Sequence, residues 1–147
     1  MTTDRAISVL NDLIETSKDG EKGFRKCAED TSSPDLRQVF LEAASHCQTS
    51  AQELQDEVAA LGGSPEEGGS VSGAIHRGWI DLKSSIKPRD NLAILEECER
   101  GEDFAKHRYE EALSKDMPDT ARTIVQRQHR GVIANHDRIR DLRNSYR

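Results

Sequence analysis

Residues 32–63 read SSPDLRQVFLEAASHCQTSAQELQDEVAALGG and specify one complete helix together with both of its ends. Ser33 suits the N-cap and Pro34 the first helical position. Gly62-Gly63 is a strong signal for the C-terminal end. Between these ends, apolar side chains recur at the spacing of one buried helix face: Leu36, Val39, Phe40, Ala43, Ala44, Cys47, Ala51, Leu54, Val58 and Leu61. The stretch therefore predicts an amphipathic helix over 34–61.

The same apolar spacing predicts three more long helices, over 3–30, 90–116 and 118–144. Residues 62–89 connect the two helical pairs, and a short amphipathic helix is expected within them over 71–86. A helix of 27 residues is about 40 Å long, a length that this connection can span, so the second and third helices can run parallel. We therefore predict an all-α four-helix bundle, made of two hairpins and one long crossover, with residues 1–147 as a single domain.

Composition limits the function classes. The net charge of −6 disfavours general binding to nucleic acid or to anionic membranes. No run approaches the length of about 18 apolar residues that a membrane-spanning helix needs, and residues 1–5 do not resemble a signal peptide, so a cytoplasmic location is expected. The three cysteines, Cys27, Cys47 and Cys98, form no CxxC motif and are expected to be small buried thiols in reduced form.

Two glutamates form the strongest chemical signal. Gly20-Glu21 precedes the first predicted turn by about as many residues as Gly101-Glu102 precedes the second. Each glutamate lies on or beside an apolar stripe, where a carboxylate is costly unless it is paired, hydrogen-bonded or bound to metal. Glu21 and Glu102 are expected to meet across the bundle axis, with the pKa of at least one of them raised by burial and repulsion.

The chain resembles a bacterial family of uncharacterised ferritin-like four-helix-bundle proteins, through residues 13–23, 76–83 and 94–102. The Gly-Glu pairs, followed by Phe24 and Tyr109, also resemble the first and third helices of rubrerythrin-like and ferritin-like proteins, where each such glutamate binds iron. The resemblance implies a ferritin-like fold and assigns no activity.

The chain departs from the ferritin-like pattern on the second and fourth helices. A di-iron site there also uses Glu-x-x-His on both helices. Counted from Phe40, those positions hold Cys47 and Ser50. On the fourth helix the nearest candidates are Gln126 with His129 and Gln128 with Gly131. Only Glu21 and Glu102 remain of the six ligand positions.

Two hypotheses follow. The first is a non-enzymatic bundle, without catalytic residues or cofactor, that acts in assembly, protein binding or stress response. Its polar layer is then structural, with Ser17, Ser50, Gln128, an arginine or water as partners. The alternative is a metal-binding or redox protein that holds iron or manganese in a reduced site. The candidate ligands of that site are Glu21, Glu102, Glu99, Gln128 and His129.

Trp79, on the predicted short helix, has two interpretations. It either packs that helix onto the bundle or stays exposed as an anchor for a partner or a second subunit. A homo-oligomer, or a protein partner bound through helix faces or the Trp79 region, is therefore expected as an assembly state.

Overall fold

A computed structural model describes residues 2–65 and 90–146, and this part of the chain folds into four helices. They are α1 (Thr2–Asp30), α2 (Pro34–Ala60), α3 (Asn91–Leu113) and α4 (Asp119–Ser145). The all-α prediction is confirmed for these residues. Most of the bounds lie within one residue of those expected, but α3 ends at Leu113 instead of 116. At this end the Arg122 guanidinium donates to the carbonyl oxygens of Leu113 at 3.0 Å and of Lys115 at 2.6 Å, and so satisfies carbonyls that the end of a helix leaves without intrahelical partners.

Hydrogen bonds between helix ends establish the topology. Thr31, at the end of α1, donates to Asn91, at the start of α3, over 2.6 Å. Thr120, at the start of α4, donates to Glu57 near the end of α2 over 3.1 Å. Both α2 and α3 therefore begin at the same end of the bundle and run parallel, which confirms the long crossover.

The short helix expected over 71–86, including Trp79, lies outside the described residues, and the single-domain organisation stays a prediction. None of the described helices has the length and apolar character needed to cross a bilayer.

The buried apolar residues form two clusters at different levels of the bundle. One surrounds Phe24 and Phe40, whose rings stack with centroids 6.5 Å apart. The other surrounds Leu10, Leu54 and Tyr109. The level between the clusters carries small and polar side chains instead, and this is where the candidate site lies.

The end of α2 shows how local sequence sets an element boundary. Gly62 has φ of 85°, in the left-handed region that favours glycine. Its N–H donates to the Ala59 carbonyl and the N–H of Gly63 donates to the Val58 carbonyl, each over 3.0 Å. These two bonds form a Schellman motif that satisfies the last helical carbonyls.

Gly62→Ala is therefore expected to lower the free energy of unfolding by about 1 kcal/mol. A Cβ there would meet no described atom within 4 Å, so the loss comes from backbone conformation alone. The matched control is Gly131→Ala within α4, where a Cβ is also free of described neighbours but the backbone is helical. That change should stabilise by roughly 0.5–1 kcal/mol. Urea unfolding of both variants measures the difference, and equal effects would contradict the strain assigned to Gly62.

Candidate functional site

The level between the two apolar clusters encloses a cavity of about 320 Å³. It exists because all four helices present small residues there, including Gly20, Ala43 and Gly101. A Cβ placed on Gly20 would lie 3.1 Å from the sulfur of Cys47, so a larger residue there would require the Cys47 side chain to shift slightly. The exposed lining residues all belong to α2 and α4, so the cavity opens between these helices. They are His46, Thr49, Arg127 and Gly131.

Glu102 is the buried acid of this cavity, with 6% of its surface exposed. Burial raises its pKa to about 8, opposed by a hydrogen bond from Asn135 and assisted by the negative charge of Asp103. At pH 7 the group is therefore mostly a neutral carboxylic acid. Its Oε2 atom has no hydrogen-bond partner among residues 2–65 and 90–146. The sequence predicted a pKa raised by burial and by repulsion from Glu21; burial acts here, but the repelling charge is that of Asp103.

A chain of polar groups closes one side of the cavity. The Tyr109 hydroxyl donates to Gln128 Oε1 over 2.8 Å. Gln128 Nε2 in turn donates to Glu53 Oε1 over 2.7 Å and to the Ser50 carbonyl over 3.3 Å. Because the Tyr109 proton is used on Gln128, the Ser17 hydroxyl donates to the Tyr109 oxygen, over 3.4 Å. The oxygen and the nitrogen of the Gln128 amide are thus both used in hydrogen bonds within the protein, which indicates a structural role.

Cys47 places a thiol on the cavity wall. Its pKa is raised far above the usual range by burial first, and then by the charges of Glu102 and Glu21. The thiolate is the form that attacks electrophiles and binds metals. At neutral pH Cys47 is therefore an inert, weakly polar part of the lining.

Glu21 does not join Glu102 in the cavity. Its side chain is 18% exposed and accepts a hydrogen bond from Arg25, one turn further along α1, over 3.0 Å. It is absent from the cavity lining and acts there only through its charge on Cys47. The two glutamates that look equivalent in the sequence thus have different surroundings.

The remaining metal-ligand candidates, Glu99 and His129, lie outside the cavity lining. Glu99 forms an ion pair with Arg143 and has an oxygen 4.0 Å from Nε2 of His136. His129 faces α3, with Nε2 3.6 Å from Glu110. Of the five candidates, only Glu102 and Gln128 line the cavity. Within the part of the chain that the structure describes, no three histidine, cysteine or acidic side chains are placed to hold a metal ion.

The donor set of the cavity does not fit a di-metal centre. Its carboxyl groups are Glu53 and Glu102. Glu53 is held by Arg127 and Gln128, and Glu102 is mostly protonated at neutral pH. A di-metal site needs several ionised carboxylates and imidazoles around one centre. The described residues supply instead a mostly uncharged pocket with one ion pair at its rim.

Sequence reasoning missed two residues of this site. Glu53 lies off the apolar stripe of α2, and nothing in the spacing marks it as a partner for Gln128. Asn135 lies on α4, lines the cavity and forms a hydrogen bond with Glu102, a contact across the bundle that the spacing of α4 does not indicate. Tyr109 and Gln128 both lie on the apolar faces of their helices. Two polar side chains buried on neighbouring helices indicate a hydrogen bond, and this pattern could have predicted the bond between them.

Comparisons with known proteins agree with this fold. A two-domain protein from Anabaena variabilis, described as containing DJ-1/ThiJ/PfpI-like and ferritin-like domains, superposes with a TM-score of 0.79 at 12% identity. The match covers 99% of this chain, which spans only 38% of that protein. A mutant of Mycobacterium smegmatis Dps1 superposes with a TM-score of 0.77 at 13% identity, over 95% of both chains. These likenesses confirm the ferritin-like four-helix bundle.

Sequence comparison identifies the family. No curated protein matches the chain in sequence. A family model does match, over residues 5–115, and this range covers well over half of the chain. The ferritin-like bundle and its resemblance to an uncharacterised family agree with that match. The chain belongs to the family described as Domain of unknown function (DUF2383).

Proposed function

We propose that this protein acts by binding and not by catalysis, and that the cavity in the middle of its bundle is the binding site for a small uncharged molecule. The observation that carries the proposal is the cavity itself, about 320 Å³ in volume and open between α2 and α4. Ligand pockets in proteins span roughly 300–1,000 Å³ and combine an apolar lining with a few polar groups. A bundle that binds can serve assembly, protein binding or a stress response, the roles expected from the sequence.

The chemistry of the lining supports a binder. Its thiol and its phenol are held protonated, because burial raises the pKa values of Cys47 and Tyr109. Glu102, whose pKa is about 8, serves as a hydrogen-bond donor at neutral pH. No activated nucleophile faces the cavity from the described residues, and His46, the histidine of the lining, lies exposed at the mouth and away from the buried acid. A ligand with one hydrogen-bond acceptor and an otherwise apolar body matches this lining.

The cavity mouth offers a direct test. Gly131 is exposed on α4, and a side chain there meets no described atom within 4 Å of its Cβ, so Gly131→Trp should fill the opening without disturbing the fold. We expect phenol to cause saturable shifts in the amide resonances of cavity residues in the parent protein. Benzoate should bind at least roughly tenfold more weakly, because burying its charge is costly. Gly131→Trp should abolish the phenol shifts while circular dichroism stays unchanged.

Gly131→Ala is the matched control and should keep phenol binding. If phenol gives no saturable shifts in the parent protein, or binds Gly131→Trp as well as Gly131→Ala, the cavity is not the binding site.

The metal-binding alternative makes a different prediction. Near-stoichiometric iron or manganese in the purified full chain, retained through dialysis, would favour it and count against an uncharged ligand.

The assembly state and the cellular location belong to the same proposal: a cytoplasmic protein that forms a homo-oligomer or binds a protein partner. Leu41 and Tyr146, the exposed large apolar side chains of the described surface, offer contact points for such an assembly. Sedimentation velocity measures it.

A further inference from the structure

Two cysteines meet in the core, away from the cavity. Cys27 lies on α1 and Cys98 on α3, and both are fully buried. Their sulfur atoms are 3.0 Å apart, although 71 positions separate them in the sequence. A disulfide has an S–S length of about 2.05 Å, so the two sulfurs need to approach by only about 1 Å more.

The surroundings hold this pair in place. Both cysteines belong to the apolar cluster around Phe24 and Phe40, and each lies within a long helix. The helices pack side by side, and Thr31 and Asn91 tie the end of α1 to the start of α3, about one turn beyond the Cys27 position. Because rigid elements position both thiols, closing the remaining gap requires side-chain motion and little movement of the backbone.

We propose that Cys27 and Cys98 form an oxidative modification site, at which a hydroperoxide converts the two thiols into a disulfide that joins α1 to α3. This inference is independent of the cavity ligand. It also separates these two cysteines from Cys47, which faces the cavity.

The reaction balances with hydrogen peroxide as the oxidant. One cysteine, as its thiolate, attacks a peroxide oxygen, which breaks the O–O bond and yields a sulfenic acid and water. The second sulfur then attacks the sulfenic sulfur and displaces a second water. The two thiols lose two electrons and two protons in total, and the peroxide is reduced to two molecules of water. Because the thiolate is scarce in a buried site, this oxidation is slow and takes place over prolonged exposure.

The test uses the full chain, incubated with hydrogen peroxide and compared with a sample kept in dithiothreitol. After unfolding in denaturant, a thiol reagent should titrate three groups in the reduced chain, the number of its cysteines, and one group in the oxidised chain. Peptide mapping without reductant should recover Cys27 linked to Cys98. A disulfide that closes so long a loop should raise the thermal midpoint by roughly 10 °C, reversibly with dithiothreitol.

Cys47→Ala is the matched control and should keep both the cross-link and the rise in thermal midpoint. Cys98→Ala should lose both. If Cys98→Ala does not fold, the peptide map of the parent protein decides alone. The proposal is overturned if three free thiols persist after oxidation, if the cross-link involves Cys47 or joins two chains, or if the thermal midpoint does not change.

Discussion

Glu102→Gln is expected to remove most of the pH dependence of stability between pH 4.5 and about 8. The parent carboxyl has a folded pKa above its ordinary value of 4.5, so the folded state binds more protons than the unfolded state across this window. The stability that this proton contributes is fully present below pH 4.5 and is lost as the pH rises through about 8. The shift corresponds to a loss on the order of 5 kcal/mol.

Glutamine keeps the shape of the side chain and carries no charge to bury. Near pH 5 the variant should therefore match the parent protein, and at pH 9 it should be more stable by a few kcal/mol. Urea unfolding from pH 5 to pH 9 measures both curves.

Glu21→Gln is the matched control, because the same change there removes a partly exposed ion pair with Arg25. It should lower the free energy of unfolding by less than about 1 kcal/mol and leave the dependence of that free energy on pH unchanged. If the stability of Glu102→Gln still falls steeply as the pH rises from 4.5 to about 8, another group titrates in this window. Strong destabilisation of Glu102→Gln that a chelator reproduces in the parent protein would instead restore the metal-site hypothesis.

Gln128→Ala is expected to lower the free energy of unfolding by about 3 kcal/mol. The change removes three hydrogen bonds at once and leaves the Tyr109 hydroxyl and the Ser50 carbonyl without this partner in a buried region. The matched control is Gln126→Ala, an exposed position on the same helix, which should stay within roughly 0.5 kcal/mol of the parent protein. Equal effects at the two positions would contradict the structural role of Gln128.

A double-mutant cycle isolates the bond at the centre of this network. Tyr109→Phe removes the donor to Gln128 and also the acceptor of the longer bond from Ser17. Combined with Gln128→Ala, it should show a coupling energy of about 1 kcal/mol, since directly bonded groups are not additive. Gln128→Glu gives a further contrast. It places a second carboxylate beside Glu53, so it should destabilise the chain, whereas a metal site would gain a ligand and bind iron or manganese more tightly.

The helices and their order follow from local features of the sequence. Helix starts and ends depend on local features, such as the Ser33 cap with Pro34 and the left-handed Gly62, and these can be recognised without any tertiary contact. The apolar spacing located the buried face of each helix. The length of 62–89 indicated that α2 and α3 run parallel, because a chain of that length can return along the bundle. The largest difference from the expected boundaries is at the end of α3, where Arg122 reaches back from the next helix and bonds to the Leu113 carbonyl.

Which polar groups meet depends on how the four helices pack. Glu21 and Glu102 occupy equivalent positions in the sequence, yet Arg25 holds the first near the surface while the second is buried against Asn135. A small rotation of a helix about its axis moves a residue at the edge of the stripe from solvent to cavity, and periodicity does not specify that rotation. Contacts between distant positions, such as Cys27 with Cys98, depend on how whole helices pack, since no local pattern encodes a distance across the bundle.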